Sequence, residues 1–213
     1  MSTPNTILIG DIHSCSSEFG KLIEILSPSI SDNLILLGDL LNKGPDPEGT
    51  LEIFESLKCL CLLGNHDLNH LEAFRGKAKL KEEGKATKRL MSGKSYERYL
   101  EAVKKMPLFV KSEDFIALHG ALLPHTPLNE QPKDVLTGSV SLDLGWKDHL
   151  DLDRPVVVGH KRYSAIPSEP CLVEGKFYGI DTGCVSGGKL TALLLPEGRI
   201  VQVQAARNYS SES

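Results

Sequence analysis

The sequence has no apolar run long enough to cross a membrane. Its longest apolar stretches, such as Leu34–Leu37 and Val156–Val158, have the length of strands, whereas a membrane-spanning helix needs about 20 apolar residues. The first residues, Met-Ser-Thr-Pro-Asn, also lack the basic region and the long apolar core of a secretory signal. The sequence therefore predicts a cytoplasmic protein that does not associate with membranes.

Cysteine is scarce and has no paired spacing. The chain contains five cysteines, an odd number, and none of them forms the motif of a zinc knuckle. The pattern therefore indicates neither a disulfide framework nor a zinc knuckle. We predict reduced and mostly buried thiols, because free cysteine commonly behaves as a small hydrophobic residue.

An overall positive charge is also missing, since the net charge is −4. We therefore expect no specific binding to duplex nucleic acid, which depends on a basic surface. The basic residues are concentrated in residues 75–105, which hold eleven Lys and Arg against four Glu. This segment either raises the local concentration of anionic substrates or forms the solvated face of surface helices.

What remains is an ordinary globular composition. The 213 residues are 40% apolar and 24% charged, and this length is enough to bury one substantial core. We predict a single domain over residues 1–208, followed by a disordered tail over residues 209–213 because the last residues are short and polar.

The first third of the chain repeats one pattern three times. The apolar runs Thr6–Gly10 and Leu34–Leu37 each lead into Gly-Asp, and Cys59–Leu63 leads into Gly-Asn-His-Asp. Each run is followed by a segment with helical spacing or helix-start residues. Three successive strand-loop-helix units predict an α/β fold with a parallel sheet.

The rest of the chain divides into a helical insert and a strand-rich part. Residues 76–106 predict a basic helical cap beside the carboxyl edge of the sheet, with breaks near Gly84 and Gly93. After Pro107, five short apolar runs predict strands, and we expect them to form a second sheet that packs on the first. The runs are Phe115–Leu118, Pro155–Val158, Phe177–Ile180, Lys189–Leu195 and Arg199–Val203.

Metal-binding side chains follow five of the predicted strands. Ligand sites of α/β sheets lie at the carboxyl ends of strands, and carboxylate, amide and imidazole donors suit manganese, iron or zinc. Alone, an Asp or Asn at such a position is usually a helix N-cap, but their repeated occurrence predicts a metal site. The residues are Asp11, His13, Asp39, Asn65, His66, His119 and His160.

This set divides naturally between two ions. Asp11 and His13 are predicted to hold one ion, and the second is assigned to Asn65, His119 and His160. Asp39 would bridge the two. A pair of ions about 3.5–4 Å apart binds phosphoryl oxygens and activates water, so the pattern favours phosphoryl chemistry.

The same segments resemble the five signature blocks of the metallophosphoesterase superfamily, in its phosphoprotein-phosphatase branch. Residues 62–76 and 179–198 are most similar to symmetrical diadenosine tetraphosphate hydrolases and ApaH-like phosphatases. The blocks are GDIH (10–13), GDLLNKGPD (38–46), GNHD (64–67), ALHG (117–120) and GH (159–160).

The resemblance implies a four-layer α/β/β/α sandwich of two mixed sheets and a dinuclear centre. Manganese is the metal expected from the family, with iron, zinc, cobalt and magnesium as alternatives. The resemblance assigns the six ligands as above, with Asp39 shared, and gives His66 the role of protonating the leaving oxygen. Lys43 and Arg162 are expected to bind the substrate phosphate.

Two departures from the family pattern concern the substrate. The usual Asp-Arg pair of the second block is Asn42-Lys43 here, so the carboxylate that often orients the catalytic histidine is missing. The arginine that protein phosphatases carry before Gly-Asn-His is Leu63. Three histidines match no block and are predicted to lie on the surface: His70, His125 and His149.

The sequence thus predicts a phosphoesterase that acts on a phosphorylated small molecule or nucleotide, with a symmetrical dinucleoside tetraphosphate as the first candidate. The alternatives are a serine/threonine protein phosphatase, which acts on a phosphoprotein, or a phosphatase for small phosphomonoesters. A non-catalytic binding module is a remote alternative, because all six expected ligands are present.

Overall fold

The computed structural model describes residues 5–150, 153–166 and 168–210. Its strands are β1 (Thr6–Ile9), β2 (Asn33–Leu36), β3 (Cys59–Cys61), β4 (Phe109–Lys111), β5 (Ile116–Leu118), β6 (Val156–Val158), β7 (Cys171–Val173), β8 (Phe177–Gly179), β9 (Lys189–Leu195) and β10 (Arg199–Gln204). Its helices are α1 (Ser16–Leu26), α2 (Pro47–Ser56), α3 (Asn65–Phe74), α4 (Glu82–Arg89), α5 (Gly93–Val103), α6 (Lys133–Leu136) and the 3-10 helices Leu128–Glu130 and Leu144–His149.

The first sheet has the strand order β10-β9-β1-β2-β3. The strands β1, β2 and β3 are parallel, as the three repeated units predict, with Leu8 opposite Ile35. The strands β9 and β10 were expected in the second sheet, and this prediction is wrong, because β9 pairs antiparallel with β1. Six of the seven residues of β9 are buried, which suits a strand between two neighbours.

The second sheet has the order β4-β5-β6-β8-β7. Its central strands β5, β6 and β8 are parallel, and the short strands β4 and β7 add antiparallel edges. Both sheets are therefore mixed. Each presents the carboxyl ends of three parallel strands, and this is where polar ligands collect in α/β proteins.

The alternation of side chains along the strands separates three hydrophobic clusters. In β1, Ile7 and Ile9 face the layer of helices α1, α2, α3 and α5, whereas Leu8 faces the second sheet. On the far side of the second sheet, Val156 and Val158 pack against α6 and Trp146. The predicted four-layer α/β/β/α arrangement is confirmed, with short helices forming the fourth layer.

Helix α2 begins where its sequence favours a start. The Asp46 side chain accepts a hydrogen bond from the backbone N–H of Gly49 at 2.9 Å, and Pro47 occupies the first turn. Both features stabilise a helix N-terminus.

Helix α3 starts directly after the loop that follows β3. The Asp67 carboxylate accepts a hydrogen bond from the backbone N–H of Gly64, the residue before the helix. The side chains of Asn65 and His66 are thereby fixed in the first turn, at the edge of the sheet.

The segment over residues 76–106 packs more tightly than a loose cap. Helix α5 buries Tyr96, Tyr99, Leu100 and Val103 in the same cluster as the first sheet. The expected break near Gly84 is wrong, because Gly84 lies inside α4. A side chain there would lie 2.7 Å from Leu80 and 3.3 Å from His70, so glycine permits the close approach of α4.

The packed part of the chain reaches further towards the C-terminus than predicted. Tyr209, which was assigned to the tail, is buried and donates a hydrogen bond of 2.8 Å to Glu18 of α1. A buried hydroxyl needs such a partner. Residues 211–213 of the predicted tail lie outside the described residues.

Among the described residues, none of the helices combines the length and the apolar character needed to cross a membrane.

Candidate metal centre

The predicted metal-binding residues meet at one edge of the two sheets. Asp11, Asp39 and Asn65 follow β1, β2 and β3 of the first sheet, and His119 and His160 follow β5 and β6 of the second. Residues separated by up to 149 positions along the chain thus contact each other. The site is built from the ends of parallel strands.

Asp39 lies at the centre of this group. Its Oδ2 atom is 3.5 Å from Nε2 of both His13 and His119, and 3.9 Å from Nε2 of His66. Asp39 also shares a compact set of potential ligand atoms with His119 and His160. This central position is the one expected of a ligand shared by two ions.

In Asp11 and in Asp39, one of the two carboxylate oxygens accepts a hydrogen bond from the protein backbone. The backbone N–H of His66 donates to Oδ1 of Asp39 at 3.0 Å, and that of His160 donates to Oδ1 of Asp11 at 3.0 Å. In both residues the Oδ2 atom faces the histidines. The backbone therefore orients the carboxylates and keeps the second oxygen available to a cation.

Backbone carbonyls define the tautomers of two histidines. The Nδ1 atom of His13 lies 3.2 Å from the carbonyl of Leu41, and that of His119 lies 2.8 Å from the carbonyl of Leu37. Because a carbonyl only accepts, each Nδ1 carries the hydrogen, and the Nε2 atom of the neutral ring presents a lone pair.

Acceptor atoms converge on His119 as a result. Its Nε2 lone pair lies 3.2 Å from the side-chain oxygen of Asn65 and 3.5 Å from the Asp39 carboxylate. No hydrogen is available between these three acceptors when the ring is neutral and Asp39 is ionised. A cation satisfies all of them, so the donor set fits a divalent metal ion.

Burial dominates the electrostatics of the site. It raises the pKa values of the Asp11 and Asp39 carboxyls well above their usual range, with contributions from Asp181 and Asp67 respectively. It also lowers the pKa of the His160 imidazole to about 3. Bound cations would compensate for the solvation that these groups lose.

The backbone at the site adopts an uncommon conformation. The φ angles are positive at His13 (48°), Asp39 (49°), Asn42 (82°), Lys43 (62°) and His160 (65°). Residues other than glycine rarely adopt this region, and such strain concentrates at functional sites. The turns aim several side chains into one small volume.

A comparison with known families agrees with this arrangement. The profile of the calcineurin-like phosphoesterases matches residues 4–189. The chain belongs to the calcineurin-like phosphoesterase family.

Several similar bacterial proteins carry the same functional name. A protein of Wigglesworthia glossinidia brevipalpis named a symmetrical bis(5'-nucleosyl)-tetraphosphatase is 29% identical over 145 residues, which cover 66% of this chain and 52% of the relative. A protein of the same name from Aromatoleum aromaticum is 24% identical over 273 aligned positions, which cover 95% of this chain and 98% of the relative. The chain spans about half the length of the first curated relatives that it matches.

Solved structures show the same fold. A crystal structure described as a "putative diadenosine tetraphosphatase" has 25% identity and a TM-score of 0.77, with 95% of this chain and 94% of that chain covered. A metallophosphoesterase from Sphaerobacter thermophilus has 15% identity and a TM-score of 0.58, with 97% and 89% covered. The second likeness concerns the fold alone.

The two predicted phosphate-binding residues of this phosphoesterase, Lys43 and Arg162, line one cavity with three of the candidate ligands, His13, Asp39 and His160. The cavity has a volume of about 290 Å³ and is also lined by Asp181 and Lys161. The Lys43 ammonium donates to Nε2 of His13 at 3.1 Å, whereas Arg162 lies beside Gly183. Lys161 is tied to a neighbouring loop through Leu142.

Sequence reasoning missed the residues behind His66. The Asn42 amide nitrogen lies 3.0 Å from Nδ1 of His66, and its amide oxygen lies 2.7 Å from Nε2 of His70. The prediction that His70 lies on the surface is wrong, since it is fully buried. His125 and His149 are exposed as predicted. The available signal was spacing, because His66 and His70 lie one turn apart on α3.

Burial also affects His66 itself. It lowers the pKa of the His66 imidazole to about 2, and the nearby Lys43 ammonium adds to this effect. The neutral form of the ring is therefore favoured in the site as it stands.

Proposed function

We propose that this protein is a dinuclear metal-dependent phosphoesterase. Asp11, His13 and Asp39 hold one divalent ion, and the second is held by Asp39 together with Asn65, His119 and His160. When bound, such ions supply Lewis acidity and lower the pKa of a coordinated water. The observation that supports this assignment most is the convergence of five strand ends on the Asp39 carboxylate.

The protein's own residues account for the remaining steps. Lys43 and Arg162 bind the phosphate oxygens in the cavity that they share with His13, Asp39 and His160. His66 faces Asp39 through Nε2, and its neutral ring donates a hydrogen bond from Nε2 to the leaving oxygen.

For the substrate we propose a symmetrical dinucleoside tetraphosphate. The support is the name carried by the bacterial relatives, together with two cationic side chains that face one cavity. A polyphosphate chain carries several negative charges, and such charges bind well where Lys and Arg converge. Manganese is the first metal to test, followed by iron, zinc, cobalt and magnesium.

The products of diadenosine tetraphosphate test this proposal. Water that enters next to the central bridging oxygen splits the molecule into two ADP, so ADP is expected as the only nucleotide product with manganese present. Chromatography of the reaction mixture gives the answer. ATP plus AMP would contradict the symmetrical reaction, and release of phosphate from phosphopeptides without dinucleotide turnover would favour a protein phosphatase.

Cellular location follows a similar argument. We propose a cytoplasmic location, because the proposed nucleotide substrate is found there. Fractionation of cells that produce the protein tests this proposal.

A further inference from the structure

A buried row of polar side chains lies behind His66, on the side away from the cavity. Asn42 contacts both His66 and His70, and the hydroxyl of Tyr96 lies 3.0 Å from Nδ1 of His70. Asn42 and His70 are almost completely inaccessible, and Tyr96 is only 8% exposed. These groups therefore satisfy one another rather than water.

An amide between two imidazoles imposes opposite roles on them. One end of the Asn42 side chain donates and the other accepts. In the structure, His70 donates through Nε2 to the amide oxygen, and the amide nitrogen donates to Nδ1 of His66. His66 then carries its hydrogen on Nε2, the atom that lies 3.9 Å from Asp39.

Tyr96 is the first donor in this row of hydrogen bonds. With Nε2 of His70 acting as donor, its Nδ1 atom accepts, so the Tyr96 hydroxyl is the donor at 3.0 Å. Tyr96 belongs to α5, within the segment that the sequence suggests is a cap. The tautomer of His66 is thereby connected to a helix outside the metal-binding loops.

An asparagine needs this support more than an aspartate does. The two ends of an amide have nearly the same shape, so contact with His66 alone leaves two orientations available. A carboxylate at the same position would accept from both histidines without a preferred direction. In the structure the amide oxygen lies 2.7 Å from Nε2 of His70, and this orientation is retained while His70 carries its hydrogen on Nε2 and the Tyr96 hydroxyl donates to Nδ1.

We propose that His70, supported by Tyr96, is a positioning residue that fixes the Asn42 amide and so holds the Nε2–H of neutral His66 where it donates a hydrogen bond to the leaving oxygen. This inference rests on the proposed phosphoesterase function. It assigns to this chain a replacement for the orienting carboxylate that the sequence lacks at residue 42.

The leaving group of the substrate provides the test. A hydrogen bond donated to the leaving oxygen stabilises the charge that develops there, which matters for phenyl phosphate, a substrate with a poor leaving group, and much less for 4-nitrophenyl phosphate. In His70→Phe, kcat for phenyl phosphate should fall by about 10- to 100-fold, at most the effect of losing one preorganised donor, and kcat for 4-nitrophenyl phosphate by less than about threefold. KM and manganese content should stay unchanged.

Two further variants control this measurement. His70→Gln keeps an N–H that reaches Asn42 and should restore most of the activity on phenyl phosphate. Tyr209→Phe removes a different buried hydroxyl, which is bonded to Glu18, and should affect both substrates equally. An equal loss of kcat on both substrates in His70→Phe would show a merely structural role and overturn the proposal.

A second readout does not depend on turnover. In magnesium-loaded protein with ¹⁵N-labelled histidine, the ring nitrogen shifts of His66 report its tautomer. They should show hydrogen on Nε2 in the parent and a changed pattern in His70→Phe. Unchanged shifts would refute the positioning role even if the parent hydrolyses no phosphate ester, an outcome that by itself would refute only the proposed function.

Discussion

The two carboxylate oxygens of Asp39 have different roles: one is hydrogen-bonded to the backbone and the other faces the candidate metal site. Its Oδ1 atom accepts from the backbone N–H of His66, whereas Oδ2 faces three histidines. The two functions are separable by substitution, since an asparagine retains an oxygen for the backbone and loses the negative charge.

Asp39→Asn should therefore fold but lose bound metal and activity. Because the charge at the centre of the site holds two cations together, we expect manganese content to fall from two ions to one or none per chain, measured by elemental analysis. His66→Asn is the matched comparison. It should retain metal and lose about 10²- to 10⁴-fold in kcat, and an equal loss of metal in both variants would contradict the separate roles.

Lys43 is expected to have opposite effects on metal and on substrate. Its ammonium lies 3.1 Å from Nε2 of His13, the atom assigned to the first ion. Lys43→Ala should therefore strengthen manganese binding in a titration without substrate, since a competing cation is removed.

The same variant should raise KM for the nucleotide by about 10-fold or more, because a charge-assisted hydrogen bond to phosphate is lost. Lys43→Arg should retain the parent KM within a few fold. If Lys43→Ala leaves both manganese affinity and KM unchanged, Lys43 is a solvated residue of the turn.

At the scale of elements, the loops after β2 and β3 must approach each other closely. Gly38 has a φ of 103°, and a Cβ atom there would lie 2.8 Å from Nδ1 of His119 and 2.9 Å from the backbone N of Gly64. Neither neighbour can move without displacing a candidate ligand. The spacing of the two loops thus depends on glycine.

Gly38→Ala should reduce both stability and metal affinity. Gly76→Ala is a suitable control, because Gly76 also has a positive φ but no atom within 4 Å of the added methyl group. Gly76→Ala should lower the free energy of unfolding by only about 1–2 kcal/mol, the strain of a left-handed backbone at alanine. It should bind manganese as the parent does. Equal manganese affinity in both variants would show that the loop spacing is not critical.

At the scale of elements, the sequence best predicted the features that follow from regular local patterns. The strands β1, β2 and β3, the start of α2 at Asp46 and the shared polar edge all follow from short-range signals. The order of β8 and β7 and the position of β9 beside β1 depend on contacts between distant segments. Periodicity carries no information about which sheet a buried strand joins.

In the candidate site too, side chains that follow a local motif were predictable, whereas those that depend on distant segments were not. The candidate ligands were predictable because each follows an apolar run with a recognisable motif. The burial of His70 was not, since its partner Tyr96 is 26 residues away on α5 and its partner Asn42 is 28 residues away. Helical spacing placed His70 on the face of His66 but could not show what covers that face.

For the whole molecule, buried neutral histidines make stability depend on pH. Burial lowers the pKa of the His70 imidazole to about 4, with a further contribution from Lys88. The unfolded chain takes up this proton near pH 6.5, whereas the folded chain does not. The contribution of His70 to stability should therefore be complete above pH 6.5 and should be lost as the pH decreases from about 6.5 to 4.

His70→Gln removes this contribution. In urea unfolding of metal-free protein, the free energy of unfolding of the parent should decrease between pH 7 and pH 4 by about 3 kcal/mol more than that of the variant. The other titrating groups are common to both proteins and cancel. Parallel pH profiles would show that His70 has the same pKa in the folded protein as in the unfolded chain and would contradict this prediction.

The separation of the candidate ligands along the chain also affects how the protein is made. Asp11 and His160 are joined by a hydrogen bond across 149 residues. A ribosome that adds about 5–20 residues per second delivers His160 roughly 7–30 s after Asp11. The complete centre with both ions therefore forms only after His160 has been added. A chain produced in manganese-starved cells should accordingly take up the second ion when manganese is supplied afterwards.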